Sequence, residues 1–191
     1  METDFSLNDQ EKKQLLEIAR STIVSYIKDN KKPKLDTTPY SKTLKAHCGA
    51  FVTLHKSGRL RGCIGRFTSN EPLYLIVQQM AIASACNDTR FDEVTEKEID
   101  ELDIEISVLT PMRLIENIDE IELGKHGIYI KKGYAAGTFL PQVATETGWT
   151  KEQFLGHCSR DKAGLGWEGW QDADIYIYEA NVFGEQDFEK E

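Results

Sequence analysis

The sequence has no apolar run long enough to span a bilayer, and no basic segment followed by an apolar stretch near Met1. A cytoplasmic protein is therefore expected. Close cysteine pairs are also missing, because the 4 cysteines are far apart and form no C-x-x-C pair. Reduced thiols are expected, and with no metal-ligand spacing and no nucleotide motif, neither a metal nor another cofactor is predicted.

Acidic residues are missing from residues 37 to 70, which carry six basic side chains. The whole chain has a net charge of -9, so the remainder carries -15. This balance argues against a nucleic-acid partner and favours a compact anionic ligand near Arg61. A solvated basic edge that discourages strand pairing explains the same charges equally well.

The pattern of apolar residues predicts an α+β fold, an antiparallel sheet with packed helices. Helical spacing indicates one helix from an N-cap at Asn8 to Asn30 and another beginning near Pro72. β-forming residues around Lys56-Ser57-Gly58 predict a hairpin, and alternation over residues 102 to 108 predicts a half-buried strand. A last strand, residues 174 to 178, is expected to return to the main sheet.

The chain is interpreted as one domain, residues 1 to 191, with two lobes. The larger lobe holds both termini and covers residues 1 to 112 and 173 to 191. Near Arg113 the sequence pattern changes to short segments bounded by glycines, which indicates a smaller inserted lobe over residues 113 to 172.

The most informative segment is Leu60-Arg61-Gly62-Cys63-Ile64-Gly65, directly after the hairpin turn. A three-residue turn pairs Leu54 with Leu60, which places Arg61 and Cys63 on one face with Thr53 and Phe51. A two-residue turn mixes charge into the apolar face and is less favoured. The arginine would then favour the Cys63 thiolate, and the glycines would admit a ligand or another backbone. A buried, unreactive Cys63 beside a packed element is the alternative.

Several further segments stand out in order along most of the chain: Gly49-Ala50-Phe51-Val52-Thr53-Leu54, the hexapeptide of residues 60 to 65, Asp88-Thr89-Arg90-Phe91, Ile104-Glu105-Ile106-Ser107-Val108-Leu109, Gly124-Lys125-His126-Gly127-Ile128, Phe139-Leu140-Pro141-Gln142-Val143, Gly148-Trp149 and Lys162-Ala163-Gly164-Leu165. Together they resemble the AMMECR domain family, known in prokaryotes as protein A of the AmmeMemoRadiSam system.

The resemblance implies that the hexapeptide faces a cleft between the two lobes, and that the partners are a Memo-like protein and a radical S-adenosylmethionine protein. It brings no established reaction. Carried over by position, the predicted ligand-binding residues are Arg61, Gly62, Cys63, Gly65, Asp88, Arg90, His126 and Lys162.

Two functions remain open. One is an accessory binding module whose cleft takes a small anion or a peptide and leaves the chemistry to its partners. The other is an enzyme with Cys63 as nucleophile and Arg61 and His126 in support. The missing metal set and nucleotide motif slightly favour the binding module.

Overall fold

The computed structural model describes residues 5–188, and within this range it contains eight strands and four α-helices. In chain order they are α1 (Asp9–Asp29), β1 (Ala50–Lys56), β2 (Arg59–Arg66), α2 (Leu73–Cys86), β3 (Leu102–Leu109), β4 (Arg113–Leu114), β5 (Gly127–Lys132), β6 (Ala135–Phe139), α3 (Pro141–Thr147), α4 (Lys151–His157), β7 (Asp174–Tyr178) and β8 (Ala180–Gly184). The α+β class predicted from the sequence is confirmed. Among the described residues, no helix is long and apolar enough to cross a membrane.

The chain divides into two compact units. The first comprises Met1–Leu109 and Asn181–Glu191, and the second is Thr110–Ala180. The second unit thus contains the whole segment for which a smaller lobe is predicted. The predicted lobe boundaries, and the cleft between lobes, stay predictions.

The first unit is built on a sheet with strand order β2-β1-β3-β8 and carries α1 and α2 on one face. Helix α1 begins with the predicted N-cap: the Asn8 side chain accepts from the Glu11 amide, and the Glu11 carboxylate accepts from the Asn8 amide. The helices cover the sheet face formed by Val52, Leu54 and their neighbours on β3, all fully buried. This apolar contact is the core of the unit.

The second unit is built on a sheet with strand order β4-β7-β5-β6. Its core is a separate cluster that includes Ile128, Ile130 and Phe154. The expectation that residues 174 to 178 return to the main sheet is wrong, because β7 pairs antiparallel with both β4 and β5. The strand that pairs with β3 is instead β8. It has five residues, and a strand of this length gives no clear periodic signal in the sequence.

Candidate functional site

The β1–β2 hairpin carries the hexapeptide, and its turn differs from the favoured prediction. Lys56 pairs with Arg59, so the turn has two residues, Ser57 and Gly58, with φ of 52° and 72°. Positive φ at both positions matches a type I′ turn, whose twist suits a hairpin better than the three-residue turn that was predicted. The predicted pairing of Leu54 with Leu60 is therefore wrong.

A β-bulge at Arg61 then restores the apolar face. His55 pairs with Leu60, but Leu54 already pairs with Gly62, which leaves Arg61 as the extra residue on β2. Beyond the bulge Thr53 lies opposite Cys63, and the Thr53 hydroxyl donates to the Cys63 Sγ at 3.2 Å. The prediction that Cys63 shares a face with Thr53 is confirmed, although the pairing that was expected to produce it is not.

Gly62 and Gly65 are close-packed by groups of the chain itself. A Cβ on Gly62 would lie 2.2 Å from the Ser84 carbonyl oxygen on α2, and one on Gly65 would lie 2.2 Å from the Phe51 ring. The Ser84 hydroxyl also accepts from the Ile64 amide at 3.0 Å and donates to the Val52 carbonyl at 2.6 Å. Helix α2 is thereby bonded directly to both strands of the hairpin.

The Arg61 side chain is paired with a carboxylate. Its Nε and Nη2 donate to the two carboxylate oxygens of Glu98 at 3.1 and 3.2 Å, and its Nη1 donates to the Asp92 carbonyl at 2.9 Å. The side chain is only 14% exposed. The hydrogen bonds from Arg61 to Glu98 are the main reason why the pKa of Glu98 lies well below its usual range. Arg61 therefore fastens the segment from Asp92 to Glu98 to strand β2.

Asp88 and Arg90 bind the Cys63 backbone at the free edge of the sheet. Asp88, whose side chain is 4% exposed, accepts from the Cys63 amide at 2.8 Å, and Arg90 donates to the Cys63 carbonyl at 3.2 Å. The Arg90 Nη2 also donates to Asp88 at 2.6 Å, and this bond is the main reason why the pKa of Asp88 lies far below its ordinary value. The edge strand is thus covered, which prevents pairing with another chain at this point.

A polar cavity of about 610 Å³ lies between Arg61 and the segment of residues 89 to 98. Arg90 and Phe91 contribute to its lining, and the Arg90 guanidinium lies 5.5 Å from the Phe91 ring centre. The charged groups of Arg61 and Arg90 are both paired with carboxylates. The predicted excess of positive charge is therefore largely neutralised here by acidic residues from later in the sequence.

His126 and Lys162, the other predicted site residues, belong to the second unit. The His126 Nδ1 accepts from the Glu122 amide at 3.0 Å, and its Nε2 lies 3.7 Å from the Glu179 carboxylate. The Lys162 Nζ lies 5.6 Å from the centre of the Phe139 ring. Both side chains therefore have partners within their own unit, and their association with Cys63 stays a prediction.

The AMMECR1 family model matches residues 16–183, which include the whole hairpin and all eight predicted site residues. The chain belongs to the AMMECR1 family. Among curated relatives, Protein MK0488 of Methanopyrus kandleri is 39% identical over 184 residues, covering 91% of this chain and 87% of the relative. A protein of Methanothermobacter thermautotrophicus is 37% identical, covering 94% and 96%.

A solved AMMECR1-family structure has the same fold. The crystal structure of the uncharacterised protein PH0010 from Pyrococcus horikoshii matches with a TM-score of 0.78 at 36% identity, and the match covers 94% of each chain. The family resemblance inferred from the sequence segments is therefore confirmed over nearly the whole chain.

The register also reveals a group of chemically active side chains that the sequence analysis of this AMMECR1-family chain missed. Glu105 on β3 lies opposite Thr53, so Cys63, Thr53 and Glu105 form one row across three strands. The neighbouring row pairs His55 with Asp103. We call this side of the sheet the Cys63 face, and its members on β1, β2 and β3 are Phe51, Thr53, His55, Leu60, Cys63, Gly65, Asp103, Glu105 and Ser107.

The Cys63 face lies opposite the helix-covered face, because neighbouring residues of a strand point to opposite sides. Thr53 is buried, and Cys63, Glu105 and Ser107 are half-buried. The alternation of Glu105 and Ser107 with apolar residues was visible in the sequence. Their position beside Cys63 was not, because it depends on the bulge and on which strands are neighbours.

Proposed function

We propose that this AMMECR1-family chain is a binding module that takes a peptide segment on the Cys63 face. The observation that carries the proposal is the row of Cys63, Thr53 and Glu105, in which a thiol, a hydroxyl and a carboxylate lie side by side on a rigid sheet. Side chains on one face of a strand repeat every two residues, which matches the spacing of alternate side chains in an extended peptide.

Of the two predicted ligand classes, the peptide is better supported than the small anion. An anion near Arg61 would have to compete with Glu98, which already accepts two hydrogen bonds from the guanidinium. Arg90, the other candidate cation, is paired with Asp88. Neither arginine offers an unpaired charge to an anion.

Binding is also better supported than nucleophilic catalysis. A cysteine nucleophile is commonly activated by a base within hydrogen-bonding distance of its sulfur. Within the described part of the first unit, the Cys63 Sγ has one hydrogen bond, from the Thr53 hydroxyl. The Memo-like and radical S-adenosylmethionine proteins, suggested by the family resemblance, are the partners that we propose would supply the bound segment and the chemistry.

The test blocks the Cys63 face with N-ethylmaleimide. Burial raises the pKa of the Cys48 and Cys158 thiols to about 12 and raises that of Cys86, so Cys63 should react first at neutral pH. Immobilised protein is incubated with a mixture of random hexapeptides, and bound peptides are identified by mass spectrometry.

Unmodified protein should enrich a subset of the hexapeptides, and protein alkylated at Cys63 should not. The matched control is Cys63→Ser protein treated with the same reagent, which should still capture peptides because its face stays open. Capture that survives alkylation of Cys63, or no capture by the unmodified protein, would contradict the proposal.

A further inference from the structure

Glu105 is the one acidic side chain of the Cys63 row, and its carboxylate has no hydrogen bond or ion pair with any residue that the structure describes. It is nevertheless half-buried. A carboxylate without a partner in the chain can accept hydrogen bonds from a ligand without breaking an existing pair. Glu105 is therefore the position of this face where a ligand would gain most.

Nearby acidic groups do have partners. Glu98 binds Arg61 and Lys56, and Asp88 binds Arg90. Asp103, two residues before Glu105 on the same face, accepts from the Gln186 side-chain Nε2 at 2.7 Å. Glu105 therefore differs from its neighbours in being left unpaired.

Lys56, Arg61 and Arg20 cannot serve Glu105 without leaving carboxylates of their own. Arg59 lies opposite Lys56 in the hairpin, on the other side of the sheet from Glu105. Lys56 and Arg61 are held by Glu98, and Arg20 binds Glu185. The face itself carries Asp103, Glu105 and one histidine, but no lysine or arginine. Its charge is thus opposite in sign to that of the basic segment in which Cys63 lies.

We infer that the group which enters the Cys63 row is a cationic hydrogen-bond donor, a primary ammonium or guanidinium of a peptide side chain, paired with Glu105. This inference rests on the proposed function and names the chemistry of its ligand. The Thr53 hydroxyl donates its proton to Cys63, so its oxygen lone pairs can accept a second N–H of the bound ammonium or guanidinium. The bound side chain would then lie against the thiol.

The experiment uses fluorescently labelled hexapeptides that are identical except at one central residue, which is lysine, arginine, norleucine or glutamate. Norleucine keeps most of the length of lysine without its charge. Wild-type protein should bind the lysine or arginine peptide about tenfold or more tightly than the norleucine peptide, the range of a charge-assisted hydrogen bond. Equal binding of the lysine, arginine and norleucine peptides would overturn the inference.

Two variants locate the effect. E105Q should lose the preference for a cationic side chain, and the matched control E96Q, which removes a charge from an exposed residue of the same unit, should keep it. E105K should reverse the preference in favour of the glutamate peptide. This reversal tests the inference even if E105Q is poorly folded, and selectivity that persists in E105Q would overturn it.

Further measurements distinguish a peptide ligand from a free amine, and they test this inference separately from the proposed function. Free cadaverine has the ammonium but no peptide backbone. If cadaverine binds as tightly as the lysine peptide, the bound cation need not belong to a peptide, and that part of the inference is wrong. If the norleucine or glutamate peptide binds as tightly as the lysine peptide, and alkylating Cys63 abolishes this binding, the preference for a cation is wrong and the proposed function still stands. No binding of any peptide would overturn both.

Discussion

At the scale of single residues, the structure separates side chains that hold the motif in place from side chains that present chemistry. Arg61, Asp88 and Arg90 are all bonded to the chain itself, and two of these bonds go to the Cys63 backbone. Cys63, Thr53 and Glu105 instead project together from the sheet. The sequence analysis predicted Cys63 and the charged residues around it as site residues, because charged side chains beside a thiol indicate reactivity. It did not predict Thr53 and Glu105, because they have the pattern of ordinary strand residues.

Asp88→Asn should lower the free energy of unfolding at pH 7 by about 2 kcal/mol, since it removes charge-assisted hydrogen bonds to Arg90 and the Cys63 amide. The folded-state pKa of Asp88 is depressed, so its contribution is fully present above the unfolded pKa of about 3.9 and is lost as pH falls below it. Urea unfolding of both proteins from pH 7 to pH 2 measures the difference.

The matched control for this prediction is Asp92→Asn, which changes an exposed aspartate of the same segment. It should leave the free energy of unfolding within about 0.5 kcal/mol of wild type. A difference between wild type and Asp88→Asn that stays constant down to pH 2 would show that the carboxylate charge is not the cause.

At the scale of elements, the glycines of the hexapeptide mark a helix that packs directly on a strand. Gly62 faces the Ser84 carbonyl of α2, and its absent side chain lets the helix approach β2. The sequence analysis left two possibilities open for these glycines, a ligand or another backbone, and at Gly62 the structure shows the second. Sequence alone did not distinguish them, because both need the same small residue.

Gly62→Ala should destabilise the protein by about 3 kcal/mol, the upper range for overpacking, because its Cβ would lie 2.2 Å from a backbone oxygen. Thermal and urea unfolding measure the effect. Ala83→Gly on the same helix gives a comparison in which α2 is weakened by about 1 kcal/mol without a clash. A stable Gly62→Ala protein would mean that α2 can move away from the strand at little cost.

The hairpin shows how much of an element can be predicted. The two strands, the turn region and the sharing of one face by Cys63 and Thr53 all followed from residue types. The register did not, because two deviations act together: a shorter turn moves every pair by one residue, and the bulge at Arg61 moves the later pairs again. Alternation alone cannot reveal a bulge that restores the same apolar face.

At the scale of the whole molecule, charge along the sequence is a poor guide to charge in space. Residues 37 to 70 carry six basic and no acidic side chains, but Glu71 pairs with Arg66, and Glu98 with Lys56 and Arg61. The fold class and family could be predicted because they depend on many positions together. The sign of the charge on one sheet face could not, because it depends on which strands are neighbours.

The protein should not bind a nucleic-acid duplex measurably at physiological salt. Its net charge is -9, and the basic residues Lys56, Arg61, Arg66 and Arg90 are paired with carboxylates. Fluorescence anisotropy with a labelled 20-base-pair duplex, on the order of two helical turns, is the measurement. Micromolar binding that weakens steeply with salt would show a basic surface that these pairs do not neutralise.

The Ser84 hydroxyl that lies between the Val52 carbonyl and the Ile64 amide also has a consequence for local opening. The Ile64 amide donates to a hydroxyl of the helix, so its exchange with solvent depends on the contact between α2 and β2 as well as on the pairing of β2 with β1. Hydrogen exchange at this amide is therefore sensitive to release of the helix. The hexapeptide strand and α2 would open as one cooperative unit, which keeps Cys63 in a fixed position for as long as the helix stays attached.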